Sequence, residues 1–151
     1  LSSALAEFPE DTDFRLLQEN LKQKQEQLAL LDNLKEDEKI LGILLNQMAD
    51  SFSKKNLKSY LSCLDSADKT FYSAEKTSAE NLFELTRSIF SSISIMKFLV
   101  EEEHAKVSLF WKMSAVFKED DKIFKLFEKQ LDVTFNKVNG KWLITGFIWV
   151  K

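Results

Sequence analysis

The feature that most constrains the fold is a strict two-residue alternation between residues 105 and 117. Every odd position is apolar, and most even positions carry lysine or serine. The apolar face consists of Ala105, Val107, Leu109, Trp111, Met113, Ala115 and Phe117. Because successive side chains of a strand point to opposite faces, this pattern predicts a long strand with one buried face. Such a chain must pack a hydrophobic layer against that face.

The segments after residue 117 continue the strand pattern. Residues 123–136 predict a second long strand with a bulge near 127–129, because the apolar positions before the bulge are out of phase with those after it. Asn139-Gly140 predicts a two-residue hairpin turn into a last strand. On that strand we expect Trp142, Ile144, Gly146, Ile148 and Val150 to point inward and Phe147 and Trp149 outward. A shorter strand is expected at residues 94–101.

The first ninety residues have the periodicity of helices. Residues 36–54 carry a wide apolar stripe that is typical of a buried helix. Asn56 is expected to cap a short helix, and a further helix is expected to begin at Ser78 and to include Ile89 and Phe90. Helices followed by a meander of strands predict an α+β fold.

A narrower apolar stripe lies further towards the amino terminus. Phe14, Leu17, Leu21, Leu28 and Leu31 occupy a and d positions of a heptad pattern. We therefore divide the chain into a tail (residues 1–12), an amphipathic helical extension (13–35) and a main domain (36–151). The heptad stripe predicts pairing of the extension, either with its own domain or with a second copy.

Composition excludes several classes of function. One cysteine and one histidine cannot form a disulfide or a Cys/His zinc cage, so we expect no metal site and no cofactor. A net charge of −3, and the absence of arginine from residues 104–151, argue against a nucleic-acid partner. No apolar run is long enough for a membrane span. The compartment stays open: cytoplasmic, or extracytoplasmic if a signal or anchor precedes Leu1.

The order of elements resembles the nuclear transport factor two-like superfamily. Residues Ile40 to Leu64 resemble its opening helix pair, and His104 to Leu109 resemble its first long strand. The strands that end in Asn139-Gly140-Lys141-Trp142-Leu143-Ile144 complete the resemblance, which covers residues 36–151. It implies a cystatin-like cone, in which helices pack on the concave face of a curved, mostly antiparallel sheet. Its members include isomerases, cyclases, dehydratases, transport factors and assembly domains, so the fold alone does not select a function.

Two regions are candidates for function. If the cone has an opening, its lining is expected to include Tyr60, Tyr72, Trp111, Met113 and Trp142, with the tyrosine hydroxyls as polar anchors. The competing expectation is a cone filled by aromatic side chains, since the chain has thirteen phenylalanines. The second region is the outward sheet face, where we expect Phe110, Val116, Phe147 and Trp149 to form a contact surface. Leu17, Leu21 and Leu28 of the extension are further interface candidates.

No catalytic residue is expected, because no inward strand position considered carries a titratable side chain. The helical acids, chiefly Asp50, Asp65 and Asp68, are expected to be caps or solvated charges. The leading hypothesis is therefore a non-enzymatic interaction or assembly domain that forms a homodimer, or binds another protein, through its sheet. The alternative is a small apolar-ligand binding protein, or a lyase/isomerase-type enzyme, that uses the cone. An open cavity on the order of several hundred Å³ with an acid pointing into it favours that alternative.

Overall fold

A computed structural model describes residues 11–150 of the 151-residue chain. The predicted tail lies outside the described residues except for residues 11 and 12, which belong to the first helix. The chain divides between Asp37 and Glu38 into two compact units. The first unit contains the amino-terminal part of this helix, and the second contains all other elements.

Three helices precede the sheet: α1 (Asp11–Ser53), α2 (Leu57–Ser62) and α3 (Lys69–Leu85). The extension predicted over 13–35 and the helix predicted over 36–54 are one continuous helix, because no proline or glycine ends the helix at their junction. Helix α2 is capped as predicted, since the Asn56 side chain accepts a hydrogen bond from the backbone N–H of Ser59 at 3.1 Å. The prediction that the third helix starts at Ser78 was wrong. Helix α3 begins at Lys69, nine residues earlier, and Asp68 caps it by accepting a hydrogen bond from the backbone N–H of Phe71.

In the first unit, the helix exposes its apolar stripe. Phe14, Leu17, Leu21, Leu28 and Leu31 are each more than half exposed. The role of Leu17, Leu21 and Leu28 in an interface therefore stays a prediction.

The second unit contains four antiparallel strands in the order β1-β2-β3-β4. They are β1 (Thr86–Val100), β2 (His104–Phe117), β3 (Ile123–Val138) and β4 (Lys141–Trp149). The sheet is curled and does not close. Asn139 and Gly140 form the predicted hairpin turn, with φ angles of 52° and 78° that a tight turn of this kind requires.

Strand β1 begins earlier than predicted. It starts at Thr86, so Ile89 and Phe90 lie in the strand and not in a helix. The sequence is ambiguous here, because Leu82, Leu85 and Ile89 fit a helical period while Ile89, Ile93 and Ile95 fit a strand period. The segment forms a strand, in which Ile89 and Ile93 pair with Ala115 and Trp111 of β2.

The predicted orientation of β2 is confirmed. Its odd-numbered residues from Ala105 to Ala115 are at most 7% exposed. They form one core with Leu41, Leu45, Met48 and Phe52 of α1. The bulge expected near residues 127–129 lies at Leu126, because Met113 pairs with Phe127 whereas Ser114 pairs with Lys125. The second unit therefore has the predicted α+β architecture, with helices on one face of a curved antiparallel sheet.

Within the described residues, no helix combines the length and the apolar character that a membrane crossing requires.

Two substitutions in α1 test which side of the helix meets the sheet. Leu45 is fully buried, whereas Ile43 is 61% exposed. We expect Leu45→Ala to lower the free energy of unfolding by about 2–5 kcal/mol, because it leaves a cavity in the core. The control Ile43→Ala is expected to change it by less than about 0.5 kcal/mol. Urea unfolding followed by circular dichroism measures both, and equal losses would contradict this orientation.

Candidate functional site

A bulge in β4 decides which aromatic side chains face the helices. Phe135 pairs with Ile144, whereas its neighbour Thr134 pairs with Gly146, so Thr145 is an extra residue in the strand. Side chains after such a bulge change faces. A Cβ atom on Gly146 would lie 3.1 Å from Oγ1 of Thr134, which indicates how closely the two strands approach there.

The bulge overturns one prediction about the sheet. Phe147 and Trp149 pair with the buried residues Val133 and Leu131, so they lie on the inward face and not on the outward one. Ile148 was expected to point inward, but it pairs with Asp132 and is mostly exposed. Simple alternation from Trp142 gave the wrong face because it did not include the extra residue.

Trp111 is the centre of the aromatic cluster that results. Its ring stacks nearly parallel to Trp149, with centroids 6.3 Å apart and planes 10° apart. Phe127 and Phe52 meet the same ring edge-on at 5.3 Å and 5.5 Å. The indole N–H of Trp111 donates to Oγ of Ser91 at 2.9 Å, which satisfies the polar group of this buried ring. Trp111 therefore has a fixed orientation.

A cavity of about 500 Å³ opens beside this cluster. Its walls come from all three helices and from strands β2, β3 and β4; they are Phe52, Tyr60, Phe71, Glu75, Ser78, Ala79, Leu82, Trp111, Met113, Leu126, Phe127, Gly146, Phe147 and Trp149. This volume is within the range of about 300–1,000 Å³ that small-molecule sites have. The aromatic side chains of this chain thus do not fill the cone.

Three of the five residues predicted to line the cone do so: Tyr60, Trp111 and Met113. The other two are placed elsewhere. Trp142 is buried away from the cavity, with the ammonium of Lys137 lying 5.4 Å from the centroid of its ring. Tyr72 is half-buried on α3 and is not among the lining residues.

The polar groups of the cavity centre on a tyrosine–glutamate pair. The hydroxyl of Tyr60 on α2 donates a hydrogen bond of 2.6 Å to Oε1 of Glu75 on α3. Burial, and then the negative charge of Glu75, raise the pKa of Tyr60 above its ordinary value. Tyr60 is therefore a neutral phenol that donates to the carboxylate. Among residues 11–150, Glu75 has no ion-pair partner.

Sequence reasoning missed Glu75. It lies four residues after Phe71 and four before Ala79, in the apolar stripe of α3, and an acid within such a stripe is the signal that could have identified it. The three acids predicted to be caps or solvated charges have such roles: Asp50 pairs with Lys54 at 2.9 Å, Asp65 accepts a hydrogen bond from the N–H of Ala67, and Asp68 caps α3. Because an acid reaches the cavity from a helix, the lack of titratable groups on the strand positions considered does not exclude acid–base chemistry.

The pair gives the cavity a defined chemical capability. A carboxylate beside an apolar cavity can accept a hydrogen bond, or a proton, from a bound molecule. No three histidine, cysteine, aspartate or glutamate side chains come together as metal ligands within the described part of the chain. Cys63 is fully buried, and burial raises the pKa of its thiol to about 11, which keeps it protonated at neutral pH.

On the outward face of the sheet, Phe110 and Val116 lie where the sequence predicts. Phe110 pairs with Ser94 on one side and Gln130 on the other, and Val116 pairs with Ile123. Both side chains are half-buried within the single chain. Their role in an interface stays a prediction.

Several solved structures share this fold at low sequence identity. A protein from Novosphingobium aromaticivorans, for which a scytalone dehydratase activity has been suggested, is 14% identical with a TM-score of 0.67, and the match covers 80% of this chain and 88% of that one. A suggested dehydratase of the NTF2-like family from Streptomyces avermitilis is 10% identical with a TM-score of 0.64, covering 76% and 96%. A protein of unknown function from Nostoc punctiforme, described as having a cystatin-like fold, is 14% identical with a TM-score of 0.55, covering 75% and 89%.

A further solved structure with this fold is described as an association domain. A suggested association domain of a calcium/calmodulin-dependent protein kinase type II from Thiobacillus denitrificans is 6% identical with a TM-score of 0.54, covering 70% of this chain and 90% of that one. No protein-family profile and no curated protein sequence matches the chain. At these identities the comparisons establish the fold and leave the function open.

Removing the Tyr60 hydroxyl tests the hydrogen-bonded pair of Tyr60 and Glu75 through the pH dependence of the free energy of unfolding. Because the folded protein raises the pKa of Tyr60, the unfolded chain loses that proton first and binds fewer protons above about pH 10. Relative to Tyr60→Phe, the wild type should therefore lose about 1.4 kcal/mol of unfolding free energy for each pH unit above that value. At neutral pH the wild type should be more stable by about 1–3 kcal/mol.

Urea unfolding of both proteins from about pH 7 to about pH 11 measures this difference. All other titrating groups are common to the two proteins, so their contributions cancel to first order. Stability curves that run parallel above pH 10 would show that Tyr60 is not a buried neutral phenol.

Proposed function

The chain has the fold of the nuclear transport factor two-like superfamily, and from that premise we propose that it binds a small, largely apolar molecule in the cavity beside Trp111. The observation that carries the proposal is a cavity of about 500 Å³ with aromatic walls and a single hydrogen-bonded acid. Such a combination of apolar surface and few polar groups is typical of small-molecule sites. The polar groups orient the ligand, and the rings supply its binding energy.

The distribution of polar groups supports binding in one orientation. Tyr60, Glu75 and Ser78 all belong to the helices, whereas the sheet contributes Trp111, Phe127, Phe147 and Trp149. A ligand in this cavity meets only apolar side chains on the sheet side, whereas on the helix side the carboxylate lies among apolar side chains that include Phe52 and Phe71. It is therefore expected to carry one hydrogen-bond donor on an otherwise apolar body.

The inward orientation of Phe147 and Trp149 supports ligand binding more than it supports association through the sheet. Phe147 and Trp149 were two of the four residues expected to form the outward contact surface, and they line the cavity instead. Trp149 is 41% exposed although it stacks on the buried Trp111, so apolar surface is accessible at the cavity. A bound apolar molecule would remove such surface from water.

The three tryptophans make the proposal testable by NMR. Trp111 and Trp149 line the cavity, whereas Trp142 does not, so it is an internal control. We expect naphthylmethanol or naphthylmethylamine to shift the indole N–H signals of Trp111 and Trp149 in a saturable manner and to leave that of Trp142 unchanged. Trp149→Phe and Trp142→Phe variants assign two of the signals directly.

Replacing a wall residue provides a second measurement. Trp149→Ala should weaken binding of the same probes by about tenfold, because an aromatic contact contributes about 0.5–1.5 kcal/mol beyond the area that it buries. Trp142→Phe should leave the dissociation constant unchanged. If neither probe shifts the two cavity indoles, or if Trp142 responds equally, the cavity is not the binding site.

We propose self-association through the outward sheet face as a second candidate function. The observation that favours it is a set of apolar side chains around Phe110 and Val116: Phe90, Ile123 and Ile148 lie on that face and are each more than half exposed. Exposed apolar groups on one sheet face are typical of an interface. The association-domain neighbour supports only the fold on which such an interface could be built.

Two charge substitutions separate the possible dimer surfaces. If the sheet face is the interface, Phe110→Lys should convert a dimer to a monomer in sedimentation equilibrium, because it buries an unpaired charge. The matched variant Leu21→Lys changes the exposed stripe of the helical extension and should leave the dimer intact. A monomeric wild type, or a dimer that only Leu21→Lys disrupts, would contradict association through the sheet.

A further inference from the structure

We propose that the ligand of the cavity is a small organic cation, a protonated amine attached to an apolar body. This inference rests on the proposed ligand-binding function and specifies the chemical class of its ligand. It is carried by two features of the cavity: the charge of its lining and the arrangement of its rings.

The lining has one charged residue, and that residue is an acid. Of the fourteen residues that line the cavity, Glu75 is acidic and none is basic. In a partly desolvated site, a single carboxylate favours a cationic ligand, repels an anionic one, and remains without a counter-charge beside a neutral one. Lys129 shares the inward face because it pairs with Trp111, but it is exposed and lies outside the lining.

The carboxylate is held in place and retains capacity to accept a further hydrogen bond. Oε1 of Glu75 accepts the hydrogen bond from Tyr60, and the structure gives Glu75 no other side-chain hydrogen bond within residues 11–150. An ionised carboxylate has about four lone-pair sites, so a bound ammonium N–H can donate to one that Tyr60 leaves free. Tyr60 fixes the acid without neutralising it, since a phenol carries no charge.

The aromatic rings of the cavity are the second feature that favours a cation. The plane of Trp111 differs from that of Phe127 by 84° and from that of Phe52 by 76°, so aromatic surface adjoins the cavity from several directions. Trp149 stacks on Trp111 and meets Phe127 edge-on at 5.0 Å. Aromatic faces attract ammonium groups, tryptophan most strongly, and cages of such rings bind quaternary ammonium ligands.

Three naphthyl probes that differ only in the substituent at one ring position test the inference. They are naphthylmethylamine, which is cationic at neutral pH, the neutral naphthylmethanol, and the anionic naphthoate. Isothermal titration calorimetry measures the dissociation constant of each. We expect the amine to bind at least about tenfold more tightly than the alcohol, and naphthoate to bind most weakly.

Variants locate the source of the preference. Glu75→Gln keeps the side-chain shape but removes the charge, and should bring the amine and the alcohol within about twofold of each other. Glu80→Gln, at an exposed position on the same helix, is the matched control and should retain the preference. Trp149→Leu removes a ring and leaves the carboxylate, so it should weaken the amine more than the alcohol and provides a second test if Glu75→Gln is unstable.

The outcomes separate the failure of this inference from failure of the proposed function. If the wild type binds the alcohol as tightly as the amine, the site binds ligands but the charge inference is wrong. A preference that survives in both Glu75→Gln and Trp149→Leu also overturns it. If no probe binds, the ligand-binding function fails and the cation inference fails with it.

Discussion

Burial of the odd-numbered face of β2 against α1 is the constraint on which the second unit of the structure depends. Seven apolar side chains at two-residue spacing cannot remain in water, and Leu41, Leu45, Met48 and Phe52 provide the surface that covers them. Once this face is fixed, the antiparallel register fixes the inward residues of β1 and β3. Trp111 lies near the middle of that face, so the constraint that forms the core also positions the central ring of the cavity.

The cavity arises where this regular packing is interrupted. The extra residue at Thr145 turns Phe147 and Trp149 inward, and the bulge residue Leu126 lines the cavity next to Phe127, which lies opposite Met113. The irregularity in β4 thus places two large rings on the concave face. Opposite them, two capped helices bring Tyr60 and Glu75 to within a hydrogen bond. The proposed recognition of a cation follows from this contrast between aromatic strands and a single acid on a helix.

Several elements could be predicted because the pattern that specifies them is local. The alternation of β2, the Asn139-Gly140 turn and the Asn56 cap each depend on a few neighbouring residues, and each was predicted correctly. The start of β1 was not, because Ile89 satisfies a helical and a strand period equally well. The start of α3 was also misplaced, at Ser78 instead of Lys69, which left Glu75 outside any predicted helix and concealed its place in the apolar stripe.

The sequence by itself determined the α+β fold, the buried face of β2 and three of the cavity residues, Tyr60, Trp111 and Met113. The spacing of apolar residues along the sequence determines which side chains of a helix or strand share a buried face, so these features can be predicted from the sequence alone. Only the tertiary structure decided that Phe147 and Trp149 face inward, that Tyr72 and Trp142 do not line the cavity, and that Glu75 meets Tyr60. The physical reason is that a bulge reverses every side chain after it, and that a hydrogen bond across fifteen residues depends on how two helices pack rather than on spacing.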